Sequence, residues 1–91
     1  MKRYIDELRQ LVDDLPRREP AGSQADIGLL LYKMDDVPRR EREAFADAVY
    51  YYALSHFKAG DDAEHAKLYQ DVRTTFEALV AATESGPNSA A

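Results

Sequence analysis

A pair of histidines beside a predicted turn is the feature of this 91-residue chain that is most suited to chemistry. His56 and His65 flank the turn, and the carboxylates Asp61, Asp62 and Glu64 stand near them. Two imidazoles and a carboxylate are a ligand set that zinc accepts, but the spacing matches no zinc motif. We favour packed, hydrogen-bonded histidines, and we predict neither a metal nor another cofactor. If the ring nitrogens face each other, the pair instead makes stability sensitive to pH.

Adjacent aspartates occur three times, but none of these pairs suits acid–base catalysis. The pairs are Asp13–Asp14, Asp35–Asp36 and Asp61–Asp62, all at predicted helix ends. Neighbouring residues on a helix point about 100° apart, so a pair cannot converge on one reacting atom. Helix capping explains them better. The chain also has no cysteine, no glycine-rich phosphate loop and no serine-hydrolase motif, so we predict that the protein is not an enzyme.

Four helices must position these residues, and their limits follow from apolar spacing and from helix breakers. The predicted ranges are 2–15, 24–34, 38–58 and, after a cap at Asp61, 62–84. Ser23 has the position of an N-cap for the second helix, with Asp26 three residues later. The second helix is apolar around most of its circumference, which places it between other helices, and Gly28 there permits a close helix crossing. Gly60 suits the end of the third helix because glycine readily takes the left-handed conformation.

The third and fourth helices are joined by a short turn, so we expect an antiparallel hairpin. Their core positions alternate at intervals of four and three, as an amphipathic helix requires. These positions are Phe45, Val49, Tyr52 and His56 on one helix, and His65, Tyr69, Val72, Phe76, Leu79 and Thr83 on the other. We predict an all-α fold, a compact four-helix bundle with a long C-terminal antiparallel helical hairpin. Residues 1–84 form a single helical domain, and residues 85–91 form a flexible tail.

Three consecutive tyrosines are the most unusual feature of the third helix. Three such residues sweep about 200° of a helix surface, so they cannot all enter one core. Tyr52 belongs to the core stripe, Tyr50 lies on its flank, and Tyr51 points away on the same side as Leu54. Tyrosine is enriched at interface hot spots because it offers a large contact area at a low cost in entropy. We therefore predict an interface at Tyr50, Tyr51 and Leu54; the alternative is a central helix whose tyrosine hydroxyls reach solvent.

A similar sequence pattern, which we call the sequence echo, occurs twice in the first half of the chain, across the ends of the first and the second predicted helix. Residues 5–19 and 27–41 are identical at eight of 15 aligned positions, and both segments end in Pro-Arg-Arg-Glu. The functional interpretation is a duplicated surface that presents the pairs Arg17–Arg18 and Arg39–Arg40 to an acidic partner. The alternative, which we favour, is a common way of ending one helix and starting the next. The four arginines remain candidate interface residues.

The segment from Ala46 to Tyr69 resembles one tetratricopeptide unit. The likeness rests on small and aromatic residues in the first helix, a Gly60–Asp61 turn, and Glu64, Ala66 and Tyr69 in the second helix. His56 and His65 stand where that family has an aromatic residue and an alanine, and the unit has no second copy. The resemblance therefore implies a helical hairpin and not membership of the family.

The net charge of −5 limits the classes of partner. Residues 1–42 hold nine basic and nine acidic side chains, whereas residues 43–91 hold three and eight, so the deficit lies in the second part. Nucleic-acid binding needs a concentrated positive field and is disfavoured. The longest apolar run, residues 27–32, is too short to span a bilayer, and the N-terminal stretch lacks a signal-peptide pattern. We predict a cytoplasmic protein without membrane contact.

The function that these features favour is a small non-catalytic protein–protein interaction module, an adaptor or accessory subunit. Only 27 large apolar side chains are present, enough for a modest core, and the third helix holds apolar surface that this core does not use. We expect a homodimer formed through the third helix or a complex with a larger protein partner. Two alternatives stay open. One is an acidic inhibitor of a basic target, such as a bacterial immunity or phage-encoded anti-defence protein; the other is a helical DNA-binding regulator that uses Arg39, Arg40 and Arg42.

Overall fold

Apolar residues at helical spacing form four α-helices in the computed structural model, which describes residues 2–34, 37–57 and 62–89. The helices are α1 (Lys2–Asp14), α2 (Pro20–Lys33), α3 (Arg39–Phe57) and α4 (Asp62–Ser89), with a 3-10 turn at Leu15–Arg17. Those residues include no strand, and the fold is all-helical and compact, as predicted. None of the helices in this part of the chain is long and apolar enough to cross a membrane. The predicted helix stop at Gly60 and the carboxylate of Asp61 lie outside the described residues.

All four helical segments contribute apolar side chains to one core. Its most completely enclosed members have no exposed surface: Leu8, Met34, Phe45, Val72 and Leu79. The buried apolar residues of α1, α3 and α4 recur at helical spacing, so each of these helices turns one stripe inward. Burying these stripes supplies the main driving force for folding.

Ring contacts give the relative direction of α3 and α4. The ring centroids lie 5.9 Å apart for Phe45–Phe76, 5.8 Å for Tyr52–Tyr69 and 4.3 Å for His56–His65. Residue numbers therefore rise along α3 as they fall along α4. All three pairs join positions of the two stripes that the alternating four-three spacing predicts.

Polar contacts attach α1 to α4. The Tyr69 hydroxyl donates a hydrogen bond to the backbone carbonyl of Val12 at 2.8 Å. Arg73 Nη1 lies 3.3 Å from Asp13 Oδ1, and the Arg73 guanidinium also reaches the Tyr69 hydroxyl at 3.4 Å. Because the ion pair is exposed, it contributes little to stability, whereas the Tyr69 hydrogen bond fixes the register of the two helices.

The start of α2 differs from the prediction, because the helix begins at Pro20 and not at Gln24. Proline is favoured in the first helical turn, where its missing N–H would have no partner. The backbone N–H of Ser23 donates to the carbonyl of Glu19 at 3.2 Å, so Ser23 lies inside the helix. Its predicted role as an N-cap is wrong. Ser23 is fully buried, and among the described residues its hydroxyl has no hydrogen-bond partner.

The surroundings of α2 agree only in part with the prediction that it lies between other helices. The helix packs on α1 and α3, yet Leu29 and Tyr32 are 57 % and 80 % exposed. These residues are three positions apart and share the side of the helix that faces away from the core. A helix in so small a fold has two neighbours, which cover only part of its apolar circumference.

Gly28 does not mark a close helix crossing, because a Cβ atom added there would meet nothing within 4 Å. Gly28→Ala is therefore expected to raise the free energy of unfolding by up to about 1 kcal/mol, since alanine is the better helix former. Urea denaturation measures the change. Ala25→Gly, at another exposed position of α2, is the matched control and should lower stability by a similar amount. A less stable Gly28→Ala protein would contradict the open space at this site.

The end of α4 lies beyond the predicted stop, since the helix continues to Ser89 and not only to Glu84. The helix thus passes through Gly86 and Pro87, although glycine and proline are the poorest helix formers. The flexibility of residues 85–91 stays a prediction.

Candidate interaction surfaces

His56 and His65 stack face to face where α3 ends and α4 begins. Their ring centroids are 4.3 Å apart and their planes differ by 13°. The nitrogen lone pairs of imidazole lie in the ring plane, so two parallel rings do not direct them at one cation between the faces. Within the described ranges, no cluster of three or more histidine, aspartate or glutamate side chains could hold a metal ion.

The two histidines differ in their polar contacts. His65 Nε2 lies 3.3 Å from the backbone carbonyl of Ser55, and because a carbonyl only accepts, this nitrogen carries the hydrogen. His56 packs edge to face against Tyr52, with 4.8 Å between ring centroids, but it remains exposed to solvent. His65 is thus packed and hydrogen-bonded, as predicted for both histidines. His56 is packed on one side only.

Protonation of His56 is expected to oppose folding. Burial, and after it the charge of His65, lowers the pKa of His56 below its ordinary value of 6.5. The unfolded chain therefore binds this proton more readily than the folded one. The stability that neutral His56 contributes is fully present above pH 6.5 and is lost as the pH falls through the lower, folded-state pKa.

The check is the melting temperature between about pH 7 and about pH 5, a window in which histidine titrates. The decrease on acidification should be smaller in His56→Gln than in the wild type, because glutamine has no proton to gain. Carboxylates titrate equally in both proteins, so they cancel in the comparison. Identical pH profiles would show that His56 does not contribute.

The tyrosine run is divided between core and surface as its helical angles predict. Tyr52 is only 3 % exposed, whereas Tyr50 and Tyr51 are 49 % and 56 % exposed. The rings of Tyr50 and Tyr51 meet edge to face, with their centroids 5.4 Å apart. Leu54 is half-buried. The structure thus places Tyr50 and Tyr51 together on the solvent side of α3, with Leu54 partly covered.

A groove runs between the solvent-facing flanks of α3 and α4, and we call it the α3–α4 groove. One part, of about 310 Å³, is lined by Ala44, Ala48, Tyr51, Leu68, Asp71, Thr74 and Thr75. A second part, of about 150 Å³, is lined by Tyr51, Leu54, Ser55, Glu64 and Leu68. The two parts share Tyr51 and Leu68 and form one surface. The charged members of this described lining, Glu64 and Asp71, are both acidic.

A different groove lies between α2 and α3, and we call it the α2–α3 groove. It has a volume of about 410 Å³ and is lined by Gly28, Leu31, Tyr32, Arg39, Arg42, Glu43 and Ala46. Ala46 lines this groove and Ala48 the α3–α4 groove; residues two positions apart on a helix point about 200° apart, so the grooves lie on opposite flanks of α3. Sequence reasoning missed this surface. The signal was Tyr32, which lies outside the core stripe of α2.

The predicted interface arginines all lie at the surface, but they occupy different environments. Arg18 Nη2 is 3.6 Å from Asp26 Oδ2. Arg39 Nε donates to Glu43 Oε1 at 2.8 Å, and this hydrogen bond, with the charge of Glu43, raises the pKa of Arg39. Arg17 belongs to the 3-10 turn and Arg40 to the first turn of α3. The structure therefore does not bring the two arginine pairs into one repeated surface element.

The sequence echo instead coincides with the core. Its aligned apolar positions are buried in both copies: Ile5, Leu8, Val12 and Leu15 in the first, and Ile27, Leu30, Met34 and Val37 in the second. The similar pattern of the two segments therefore places equivalent apolar residues against the core.

Large apolar side chains remain exposed at two places in the described part of the chain. They are Leu29 and Tyr32 on α2, and Tyr50 and Tyr51 on α3. Single exposed apolar residues are ordinary on proteins, whereas clusters beside a groove are typical of binding surfaces. No protein-family model, curated protein or solved structure matches this chain, so these surfaces are interpreted from their own geometry.

Proposed function

We propose that this chain is a small, non-catalytic protein–protein interaction module that binds a second copy of itself through α3. The observation that carries the proposal is the exposure of Tyr50 and Tyr51 side by side, at 49 % and 56 %, on a helix whose other side is buried. Aromatic residues are enriched in protein interfaces relative to the rest of the surface.

In this proposal the four helices form a four-helix bundle, and α3 and α4 form an antiparallel hairpin within it. The order of the ring contacts between α3 and α4, and the hydrogen bond from Tyr69 to Val12, support this arrangement. Helices in such a bundle turn their apolar stripes inward and leave the opposite side of the hairpin uncovered. Tyr51 lies on that uncovered side.

The neighbours of Tyr51 suit close approach by another helix. Ala48 and Ala44 precede it by one and two turns and line the same groove. The distance between packed helices depends on the side chains at the contact, so alanines allow a near approach while Tyr51 and Leu68 supply contact area. A stable interface of standard size buries about 800 Å² on each partner. The tyrosines are therefore the centre of the proposed interface, and the flanks of α3 and α4 supply the remainder.

Tyr51→Ser is expected to weaken self-association at least about tenfold, because a central tyrosine is a typical hot-spot residue. Sedimentation velocity over a range of micromolar concentrations measures the dissociation constant of each protein. Gln70→Ser, an exposed truncation elsewhere on α4, is the matched control and should associate like the wild type. Circular dichroism verifies that both variants remain helical.

Two results would contradict the proposal. A wild-type protein that sediments as a monomer throughout this range excludes self-association. A Tyr51→Ser protein that associates as tightly as the wild type excludes this part of α3 as the contact surface.

An acidic inhibitor of a basic target is the second candidate, and one observation favours it. The charged residues that line the α3–α4 groove in the described structure, Glu64 and Asp71, are both acidic. Charge complementarity would speed association with a basic partner and make it sensitive to salt. Under this candidate the purified chain is a monomer, so the sedimentation experiment separates it from self-association.

A further inference from the structure

We infer that self-association is head-to-tail: the α2 surface that carries Tyr32 on one copy docks into the α3–α4 groove of the next copy. This inference rests on the proposed self-association through α3 and specifies which surface of the second copy makes the contact. It rests on three properties of the two surfaces: their charge, their shape and their positions on α3.

The charges disfavour contact between two copies of the α3–α4 groove. A symmetric dimer places the same patch on both subunits, so Glu64 and Asp71 of one copy would face the same residues of the other. Like charges brought together in an interface suppress that pairing. Lys67 Nζ lies 4.0 Å from Asp71 Oδ2, but this pair is largely exposed and leaves the groove lining acidic.

The α2–α3 groove has the opposite balance of charge. Arg39 and Arg42 line it together with the single carboxylate of Glu43, which pairs with Arg39, so Arg42 leaves the lining with a net positive charge. Contact between this surface and the α3–α4 groove therefore sets basic residues opposite acidic ones. Such complementary potentials fix the register of an interface and exclude wrong pairings.

The shapes of the two surfaces are also complementary. Tyr32 is 80 % exposed and stands near the end of α2, with Leu29 one turn earlier at 57 %. The larger part of the α3–α4 groove has about 310 Å³ of open space, with Ala44 and Ala48 among its lining residues. An exposed aromatic ring that enters a groove lined by small residues is a common form of interface anchor.

The positions of the two surfaces determine how the assembly grows. They lie on opposite flanks of α3, so a copy that donates Tyr32 to one neighbour still offers its own groove to another. A contact between unlike patches closes only when its rotation generates a ring; otherwise it continues as a chain. We therefore expect the wild type to form species larger than a dimer as its concentration rises, with the dimer as the first step.

Two variants with complementary defects test the inference. Tyr32→Ser lacks the docking side chain but keeps the groove, whereas Tyr51→Ser lacks the groove wall but keeps Tyr32. Each variant alone should bind itself at least about tenfold more weakly than the wild type. An equimolar mixture should form a 1:1 heterodimer that grows no further, because only one intact pair of surfaces exists in it. Labelling one variant with a fluorophore lets sedimentation velocity detect this heterodimer.

A charge exchange provides a second test that leaves both tyrosines in place. Arg42→Glu and Asp71→Arg should each weaken self-association, and the double variant, in which the two charges are exchanged, should recover it. Gln70→Ser again serves as the control for an unrelated surface change. Raising the salt concentration should weaken wild-type association.

The outcomes separate failure of this inference from failure of the proposed function. If Tyr32→Ser associates like the wild type while Tyr51→Ser does not, the contact is symmetric through α3, and the head-to-tail inference is wrong although self-association stands. If the mixture of tyrosine variants yields no heterodimer, the inference is likewise overturned. If the wild type is a monomer, both the inference and the proposed function fail.

Discussion

Phe45→Ala is expected to remove about 3–5 kcal/mol from the free energy of unfolding, the usual loss for a buried phenylalanine. Phe45 has no exposed surface, and its ring centroid lies 5.9 Å from that of Phe76. The substitution therefore deletes contacts in the core and leaves a cavity between α3 and α4. A domain of this size has a total stability of only about 5–14 kcal/mol, so the variant is expected to lose a large share of it.

Urea denaturation followed by circular dichroism measures this loss. Tyr50→Ala is the matched control, because it truncates a large aromatic side chain on the same helix at a position that is 49 % exposed. We expect a much smaller loss for Tyr50→Ala. Phe45→Leu, which retains most of the apolar volume, should lie between the two. Equal losses for Phe45→Ala and Tyr50→Ala would contradict the assignment of Phe45 to the core.

Ser23→Ala is expected to stabilise the protein by about 1–3 kcal/mol, the range for relieving a buried polar group that lacks a hydrogen bond. The Ser23 hydroxyl is fully buried in α2, and within the described ranges nothing accepts its hydrogen bond or donates to it. Alanine removes the unsatisfied group, fits the same space and is a better helix former than serine. Both effects act in the same direction.

Ser55→Ala is the matched control for this prediction. Ser55 is 3 % exposed, but its hydroxyl donates to the backbone carbonyl of Tyr52 at 2.7 Å. Removing it deletes a hydrogen bond, so the same substitution should be neutral or destabilising there. Thermal melts of both variants provide the comparison. A destabilised Ser23→Ala protein would mean that the Ser23 hydroxyl has a partner in solution.

The core could be predicted from the sequence because it depends on periodicity alone. Phe45, Val49 and Tyr52 recur at intervals that only a helix brings to one face, and the three are buried as expected. The beginning of α2 could not be predicted as well, because Pro20 and Ser23 both provide start signals and the choice depends on whether Ser23 has room in the core. Local signals compete at such a boundary, and tertiary packing decides between them.

The candidate surfaces were predictable to a different degree. The angular spread of three adjacent tyrosines was enough to put Tyr51 outside the core. The exposure of Tyr32 was not predicted, because the apolar circumference of a helix does not determine how many other helices pack against it. That number depends on the arrangement of all four helices, which no single segment encodes. The stacking of His56 on His65 likewise depends on how α3 and α4 meet.

The hydrogen bond from Tyr69 to Val12 joins residues separated by 57 positions, whereas His56 and His65 are neighbours across one short connection. The entropy lost on closing a loop grows with its length, so contacts between α3 and α4 form at a lower entropic cost than contacts between α1 and α4. We therefore expect α3 and α4 to associate early in folding and α1 to dock late. Segments that dock late through few contacts are also those that open most readily in the native state. We therefore expect α1 to undock locally in the native state. Its undocking would expose part of the core surface of α4 while α3 and α4 stay paired.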